Sequence, residues 1–301
     1  MKTKKNIHLN LTETEQLNTR SKNFDKLSLN KMAAVMCAEN FAAATAVEKA
    51  KKEIVKAAEL VEKTYLAGGK IIFMGAGTSG RLGILEAAEC PPTFNTPPNL
   101  FTALIAGGNK AVFNPVEGAE DNAKQGAKDF LKIANKKDLL IGIASSGTTP
   151  YVLGALQAAK KNGNKTVFIS SNKIAKNAGA NITIYLNTGA EVISGSTRLK
   201  AGTAQKLVLN MLTTMAMARV GKVYKNYMVD VQAKNEKLKA RATRLIALTA
   251  NISIDEAKKY AQKTKFSVKE AVLMVKLNIN LKDAKNLLRK HKGFLRSALD
   301  E

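Results

Sequence analysis

The chain has 301 residues, of which 45% are hydrophobic, and its 48 Lys and Arg against 24 Asp and Glu give a formal net charge of +24. This apolar content suffices for a folded core, and no apolar run approaches the roughly 20 residues that span a bilayer. The two cysteines (Cys37, Cys90) and two histidines (His8, His291) argue against a disulfide framework, a metal site and a Ser-His triad. We therefore expect no metal. Because the basic start also lacks the apolar stretch of a secretory signal, we expect a cytoplasmic protein.

The positive charge is spread along the chain and does not form a stripe. Lys outnumbers Arg, aromatic residues make up 5% of the chain and Trp is absent. Proteins that bind nucleic acids depend on Arg forks and aromatic stacking. We therefore expect a solvated Lys-rich surface and no specific nucleic-acid binding. The positive electrostatic field of this surface would favour an anionic small substrate.

Strands alternate with helices through the middle of the chain. A long amphipathic helix is predicted over 41–66 and ends at Gly68-Gly69. Strands are predicted at 70–74, 100–106, 139–144, 166–170 and 182–186, and helices from 80 through Glu89 and at 121–133, 150–162 and 203–220. This alternation predicts an α/β fold with a doubly wound parallel sheet. We assign the long apolar helix at 203–220 to the core or to a subunit contact.

The strand pattern disappears after Asp230. Short helices are predicted at 231–249, 253–263, 267–276, 280–290 and 292–299. The sequence therefore predicts an N-terminal helical segment (1–66), a sheet domain (67–230) and a C-terminal helical region (231–301), with a small bundle from about 245.

Two polar loops follow predicted strands. The first, GAGTSG at 75–80, has dinucleotide-binding spacing, yet the next strand lacks the acid that binds ribose, and there is no Gly-Lys-[Ser/Thr] of a P-loop. The loops instead offer hydroxyls: Thr78 and Ser79 in the first, and Ser145, Ser146, Thr148 and Thr149 in the second. Hydroxyls and backbone N–H groups at helix starts suit a phosphate monoester, such as a sugar phosphate. The alternative is ordinary turn and capping chemistry.

Carboxylates lie near both polar loops. Glu89 precedes Pro91-Pro92, which are expected to halt its helix, and Glu117, Glu120 and Asp121 follow the second strand. On the α/β plan both segments can reach the C-terminal edge of the sheet, where a carboxylate pair could transfer protons without a metal. Helix capping and surface charge are the alternative.

Longer motifs resemble the N-acetylmuramic acid 6-phosphate etherases, sugar isomerase-type (SIS) enzymes related to the glucokinase regulatory protein. The matching stretches are TEQLNTRS (14–21), MGAGTSGRLGILEAAECPPT (74–93), ALIAGG (103–108), VEGAED (116–121), GIASSGTTPYV (142–152), GAEVISGSTRLKAGTAQKLVLNML (189–212) and HKGFLRSAL (291–299). Together they cover nearly the whole chain. Thr148 departs from the basic residue that the family often has there.

The resemblance implies cleavage of the D-lactyl ether of N-acetylmuramic acid 6-phosphate by elimination and rehydration, with no cofactor. It implies acid/base catalysis by Glu89 and Glu120, and a homodimer with sites near the subunit contact. Glu191 would join the hydroxyl residues in binding the substrate. The alternative for Glu191 is a structural role as a hydrogen-bond acceptor. Arg198 or Lys200 could meet the substrate carboxylate.

The alternative is a non-catalytic sugar-phosphate regulator, which would bind the same ligand without needing both carboxylates. An oxidoreductase is excluded because the acid that binds ribose is missing. A transcription factor is disfavoured because the chain does not offer the N-terminal helix-turn-helix that it would need.

Overall fold

The computed structural model describes residues 12–173, 178–233 and 235–301. A five-stranded sheet with all neighbours parallel forms its centre, in the order β2-β1-β3-β4-β5. The strands are β1 (Ile71–Gly75), β2 (Phe101–Ile105), β3 (Leu139–Ile143), β4 (Lys165–Ser170) and β5 (Ile182–Tyr185). The predicted doubly wound parallel sheet is confirmed.

Helices cover both faces of this sheet. They are α1 (Leu29–Lys49), α2 (Lys51–Leu66), α3 (Gly77–Phe94), α4 (Lys110–Phe113), α5 (Ala123–Ile133), α6 (Pro150–Asn162) and α7 (Lys200–Arg219). Ile71 and Phe73 of β1 join the apolar cluster formed with α1, α2, α3 and α7, whereas Ile72 and Met74 join the cluster formed with α5 and α6. This alternation is what a strand buried on both faces requires.

The strand order places two loops side by side. β1 lies between β2 and β3, so the chain leaves β1 toward one side of the sheet and later returns on the other. Gly75, the last residue of β1, pairs with Ile143, the last residue of β3. The loops after these two strands therefore begin next to each other at the switch point of the sheet, where open α/β sheets bind their ligands.

Two helix predictions were wrong in detail. The helix predicted over 41–66 is a pair, α1 and α2, which meet at Ala50 with φ −88° and ψ 7°. Pro91 and Pro92 do not halt α3, which continues to Phe94 and ends at the left-handed Asn95 (φ 50°). Beyond the first turn proline removes an N–H donor and its ring crowds the carbonyl four residues earlier, so α3 continues through Pro91 and Pro92 against local propensity.

The segment that precedes α1 is hydrogen-bonded to the loop that precedes α7. Residues 12–28 contain three short 3₁₀ turns, Glu13–Glu15, Thr19–Ser21 and Phe24–Lys26. The Ser21 hydroxyl donates to the carbonyl of Val192 at 2.7 Å, and the Ser194 hydroxyl donates to that of Glu15 at 2.9 Å. Residues 12–28 thus form a strap against the loop that precedes α7.

The C-terminal region has its own apolar cluster. It consists of a hairpin of β6 (Val223–Tyr224) and β7 (Tyr227–Met228), followed by α8 (Glu236–Ala250), α9 (Ile254–Lys263), α10 (Val268–Lys276), α11 (Leu281–Lys290) and α12 (Leu295–Leu299). The hairpin has no counterpart in the predicted elements. The carboxylate of Asp230 accepts from Lys222 at 2.8 Å and from Lys269 at 3.1 Å, which ties α10 to the end of the sheet domain. The division into three units stays a prediction. Across the described ranges, no helix has the length and apolarity to cross a membrane.

Candidate active site

The first polar loop joins β1 to α3. A side chain at Gly75 would put its Cβ 2.6 Å from the backbone nitrogen of Gly80, so this close approach requires glycine. Gly77 opens α3 with φ +52°, and Thr78 and Ser79 occupy the first turn. The first N–H groups of a helix have no partner within it, so they are available to an anion.

The second polar loop joins β3 to α6. Ser145 is buried, and the hydroxyls of Ser146 and Thr149 lie 3.3 Å apart. Thr149 stands at the N-cap of α6 and Pro150 at its first position, as predicted, but the Thr149 side chain makes no capping bond. Its hydroxyl is therefore directed to the loop. In the first turn of α6 Pro150 has no N–H, and Val152 and Leu153 donate theirs to the carbonyl of Thr149, so the backbone amides available to an anion come mainly from α3.

One cavity of about 390 Å³ lies between the two loops. Its lining includes all six predicted hydroxyl residues (Thr78, Ser79, Ser145, Ser146, Thr148 and Thr149) and also Glu120. The starts of α3 and α6 both border it, so the positive ends of two helix dipoles face the same space. Hydroxyls, amides and dipoles of this kind form a seat for a dianion such as a phosphate monoester.

Glu120 lies at the edge of this cavity, in the 3₁₀ turn Ala119–Asp121. Gly118 precedes it with φ +69°, a left-handed conformation that glycine adopts without strain. Glu120 is exposed, and it also lines a smaller second cavity. A carboxylate in this position can exchange protons with a ligand that is held by the loops.

Glu89 lies outside the cavity. It is exposed on α3, almost three turns beyond Ser79, which corresponds to about 15 Å along the helix axis. The expectation that it reaches the same sheet edge as Glu120 was wrong within one chain, because α3 runs away from that edge. A substrate held in the cavity can meet Glu89 only if a second copy of the chain supplies it.

Glu191 has a structural environment. Its side chain is buried and accepts from the backbone nitrogens of Lys200 and Ala201, both at 3.0 Å, so it caps the start of α7. Burial raises the pKa of this carboxyl, and the two backbone donors oppose the rise. It is absent from the lining of the 390 Å³ cavity. The geometry therefore favours the structural role over substrate contact.

Lys200 has an anionic partner within the chain. It is buried and forms an ion pair with the buried Glu39 of α1. Burial raises the pKa of Glu39, but the bonds from Lys200, Asn18 and Arg20 outweigh this effect and hold the pKa below its usual value. Lys200 is thus not available to the substrate carboxylate, and that half of the expectation was wrong. Arg198 is exposed, and its contact with the substrate stays a prediction.

Sequence reasoning missed Gln205, which connects the two loops. Gln205 of α7 is completely buried; its Oε1 accepts from the Ser79 hydroxyl at 2.9 Å, and its Nε2 donates to the Ser145 hydroxyl at 2.8 Å. Its position in the second turn of an apolar helix was the available signal, since a buried amide needs polar partners.

The strap contributes part of the cavity wall. Thr14 and Glu15 line the cavity together with Thr197 of the loop before α7. The Thr14 hydroxyl accepts from Asn172, whose amide also donates to the carbonyl of Ser145. These wall residues come from distant parts of the sequence, and no local motif predicts that they meet.

The fold and the cavity define a sugar isomerase-type (SIS) α/β protein. The profile of the glucokinase regulatory protein N-terminal SIS domain matches residues 53–160, and that of the SIS domain matches residues 115–215. A Bacteroides fragilis crystal structure, assigned as a phosphosugar isomerase involved in capsule formation, superposes with a TM-score of 0.51 at 20% identity. The superposition covers 68% of this chain and 98% of that chain, and it supports the fold alone.

Full-length relatives identify the family. An N-acetylmuramic acid 6-phosphate etherase of Geobacillus thermodenitrificans is 46% identical over 289 residues, which is 95% of this chain and 98% of that protein. A Bacillus cereus etherase is 47% identical over 288 residues, with the same coverage, and one from Actinobacillus pleuropneumoniae is 46% identical over 95% of both chains. The chain belongs to the N-acetylmuramic acid 6-phosphate etherase family.

Proposed function

We propose that this protein is a cytoplasmic lyase that cleaves the D-lactyl ether of N-acetylmuramic acid 6-phosphate. The products are N-acetylglucosamine 6-phosphate and D-lactate. Relatives 46–47% identical over nearly the full length carry this name, and the 390 Å³ cavity supplies a phosphate seat with a carboxylate at its edge. The position of Glu120 beside that seat is the observation that carries the proposal.

The phosphate is the anchor of the substrate. The first N–H groups of α3 and the hydroxyls of the two loops surround it, at the positive ends of the α3 and α6 dipoles. Ser145 accepts a bond from Gln205, so its own proton is free for a phosphate oxygen. Ser79 already donates its proton to Gln205 and therefore binds the phosphate through its backbone N–H.

The reaction proceeds through the open-chain sugar. Its C1 aldehyde acidifies the proton on C2, a carboxylate removes that proton, and the electron pair forms the C2–C3 double bond. The C3–O bond breaks, and the departing lactate oxygen takes a proton from an acid. Water then adds across the double bond: its hydroxyl goes to C3 and a proton returns to C2. No electrons are lost or gained, and an acid/base pair suffices.

Two carboxylates fill these roles. Glu120 acts as one member of the pair because it borders the phosphate seat. Glu89 acts as the other from a second protomer, because within its own chain it lies about 15 Å along α3 from the seat. We thus propose a homodimer in which each site combines Glu120 of one protomer with the partner's Glu89. Leu85, which is 43% exposed, lies one turn before Glu89 on the same face of α3, so an apolar side chain stands beside the carboxylate that the partner would receive.

The test is D-lactate release from N-acetylmuramic acid 6-phosphate by the purified protein. We expect turnover by the wild type and at least a hundredfold loss in Glu120→Gln. The matched control is Glu59→Gln, which neutralises an exposed carboxylate of α2 and should leave turnover unchanged. Calorimetry with N-acetylglucosamine 6-phosphate reports the phosphate seat separately. Binding without any lactate release by the wild type would instead support a sugar-phosphate regulator.

A further inference from the structure

A second cavity adjoins the phosphate seat. It measures about 170 Å³ and shares Ala76, Gly77 and Glu120 with the larger cavity, so Glu120 stands at the boundary of the two chambers. The rest of its lining includes Arg81, Ala106, Ala111, Val116 and Glu117. Most of these side chains are small and apolar, and the cation among them is Arg81.

Arg81 is held in place and keeps most of its donors. It lies one turn after Thr78 on α3, is half-buried, and donates from Nε to the carbonyl of Val112 at 2.8 Å. The guanidinium has five N–H donors, so four remain. Arg81 takes part in none of the ion pairs in the described part of the chain. A fixed guanidinium with free donors beside a cavity is suited to a carboxylate.

The arrangement of the two chambers matches the substrate of the proposed function. The sugar carries its phosphate on C6, the proton to be removed on C2 and the lactyl ether on C3. With the phosphate between the loops and Glu120 at C2 and C3, the lactyl group extends past Glu120, where the second chamber begins. Its methyl group would meet Ala106 and Ala111, and its carboxylate would meet Arg81.

We infer that Arg81 binds the carboxylate of the lactyl group, and that this contact makes the enzyme specific for 3-O-lactyl sugars. This inference rests on the proposed function. The charge of Arg81 is needed because Glu117 and Glu120 line the same chamber and would repel the substrate carboxylate. The contact also holds the leaving group beside the carbon from which it departs, so Arg81 contributes to turnover as well as to binding.

The experiment compares ligands that differ only at the lactyl group. We expect Arg81→Gln to lower kcat/KM for N-acetylmuramic acid 6-phosphate by about ten- to a hundredfold, the usual value of hydrogen bonds to a charged group. Arg81→Lys should recover part of the loss. The affinity for N-acetylglucosamine 6-phosphate, which has no lactyl group, should change less than about threefold in both variants. Arg219→Gln, which removes an exposed arginine of α7, is the control.

An analogue whose lactyl carboxylate is replaced by a carboxamide isolates the contact. The wild type should bind the acid about ten- to a hundredfold more tightly than the amide, and Arg81→Gln should bind the acid no more tightly than the amide. If Arg81→Gln still prefers the acid, or loses affinity for N-acetylglucosamine 6-phosphate to the same extent, the inference is wrong. The same holds if Arg198→Gln abolishes the preference instead. These binding measurements remain informative if no lactate is released, and Arg81→Lys allows them if Arg81→Gln does not fold.

Discussion

Gln205 and Ser145 are joined by a buried hydrogen bond of 2.8 Å, and the same amide accepts from Ser79 at 2.9 Å. One side chain of α7 thereby sets the hydroxyl orientations of both polar loops. It also divides their tasks, since Ser145 keeps its proton for a ligand and Ser79 does not. The hydroxyls of the phosphate seat are therefore oriented by a buried residue that belongs to neither loop.

The first prediction concerns this amide. Gln205→Leu removes both bonds and leaves two buried hydroxyls without their partner, so we expect a loss of about 1–3 kcal/mol in the free energy of unfolding. We also expect about tenfold weaker binding of N-acetylglucosamine 6-phosphate, because Ser145 can turn away from the phosphate. Urea unfolding and calorimetry measure the two effects. Gln157→Leu on α6, an exposed position, is the control. Unchanged affinity in a folded Gln205→Leu protein would contradict this role.

The second prediction separates a shared site from a site within one chain. Glu89→Ala and Glu120→Ala proteins should each be inactive, and subunits mixed after refolding should regain activity. If each site takes one carboxylate from each protomer, a mixed dimer holds one intact site, and random mixing restores about a quarter of wild-type D-lactate release. A mixture that stays inactive, while wild-type and Glu120→Ala subunits are seen to exchange, would exclude the shared site.

The third prediction tests the ion pair of Glu39 and Lys200. Their side chains are only 6% and 4% exposed, so Glu39→Gln leaves a buried ammonium group without its counter-charge. We expect a loss of about 3–5 kcal/mol in the free energy of unfolding. Glu62→Gln breaks the pair with Arg219, which is 75% exposed, and should cost less than about 1 kcal/mol. Equal losses in the two variants would show that the burial of the first pair is unimportant.

The fourth prediction concerns acid. Burial raises the pKa of Asp230, but the charges of Lys269 and Lys222 outweigh this effect and hold the pKa below its usual value in the folded state. Its contribution to stability is therefore complete above the unfolded pKa of about 3.9 and is lost as the pH falls through the folded value. Thermal unfolding between about pH 6 and 2 should show a smaller acid-dependent loss in Asp230→Asn than in the wild type. Parallel pH profiles would contradict the assignment.

Much of the fold could be read from the sequence because its signals are local. Apolar runs such as that at Leu139–Ile143, followed by a polar loop and Pro150, predict a strand, a turn and a helix within a few residues. The six hydroxyl residues of the cavity were found in the same way. The paired helices at Ala50 and the helical Pro91-Pro92 were missed, since tertiary packing overrides propensity there.

Contacts between distant residues could not be read in this way. Gln205, Arg81 and Thr14 lie within stretches that match the family, but no local pattern gives them a role. They acquire one only when the sheet brings the ends of β1 and β3 together. Glu89 shows the opposite error. Its motif predicts chemistry, but the direction of α3 carries it away from the cavity of its own chain.

The strap also has a consequence for the order in which this molecule is built. Ser194 and Glu15, whose bond helps close the cavity wall, lie 179 positions apart in the chain. During synthesis Glu15 is made early, but its partner Ser194 becomes available only when nearly two thirds of the chain has left the ribosome. Closing so long a loop carries an entropic cost that only the completed sheet can offset. Ligand-binding competence should therefore emerge as a late event of folding, after the central strands have paired.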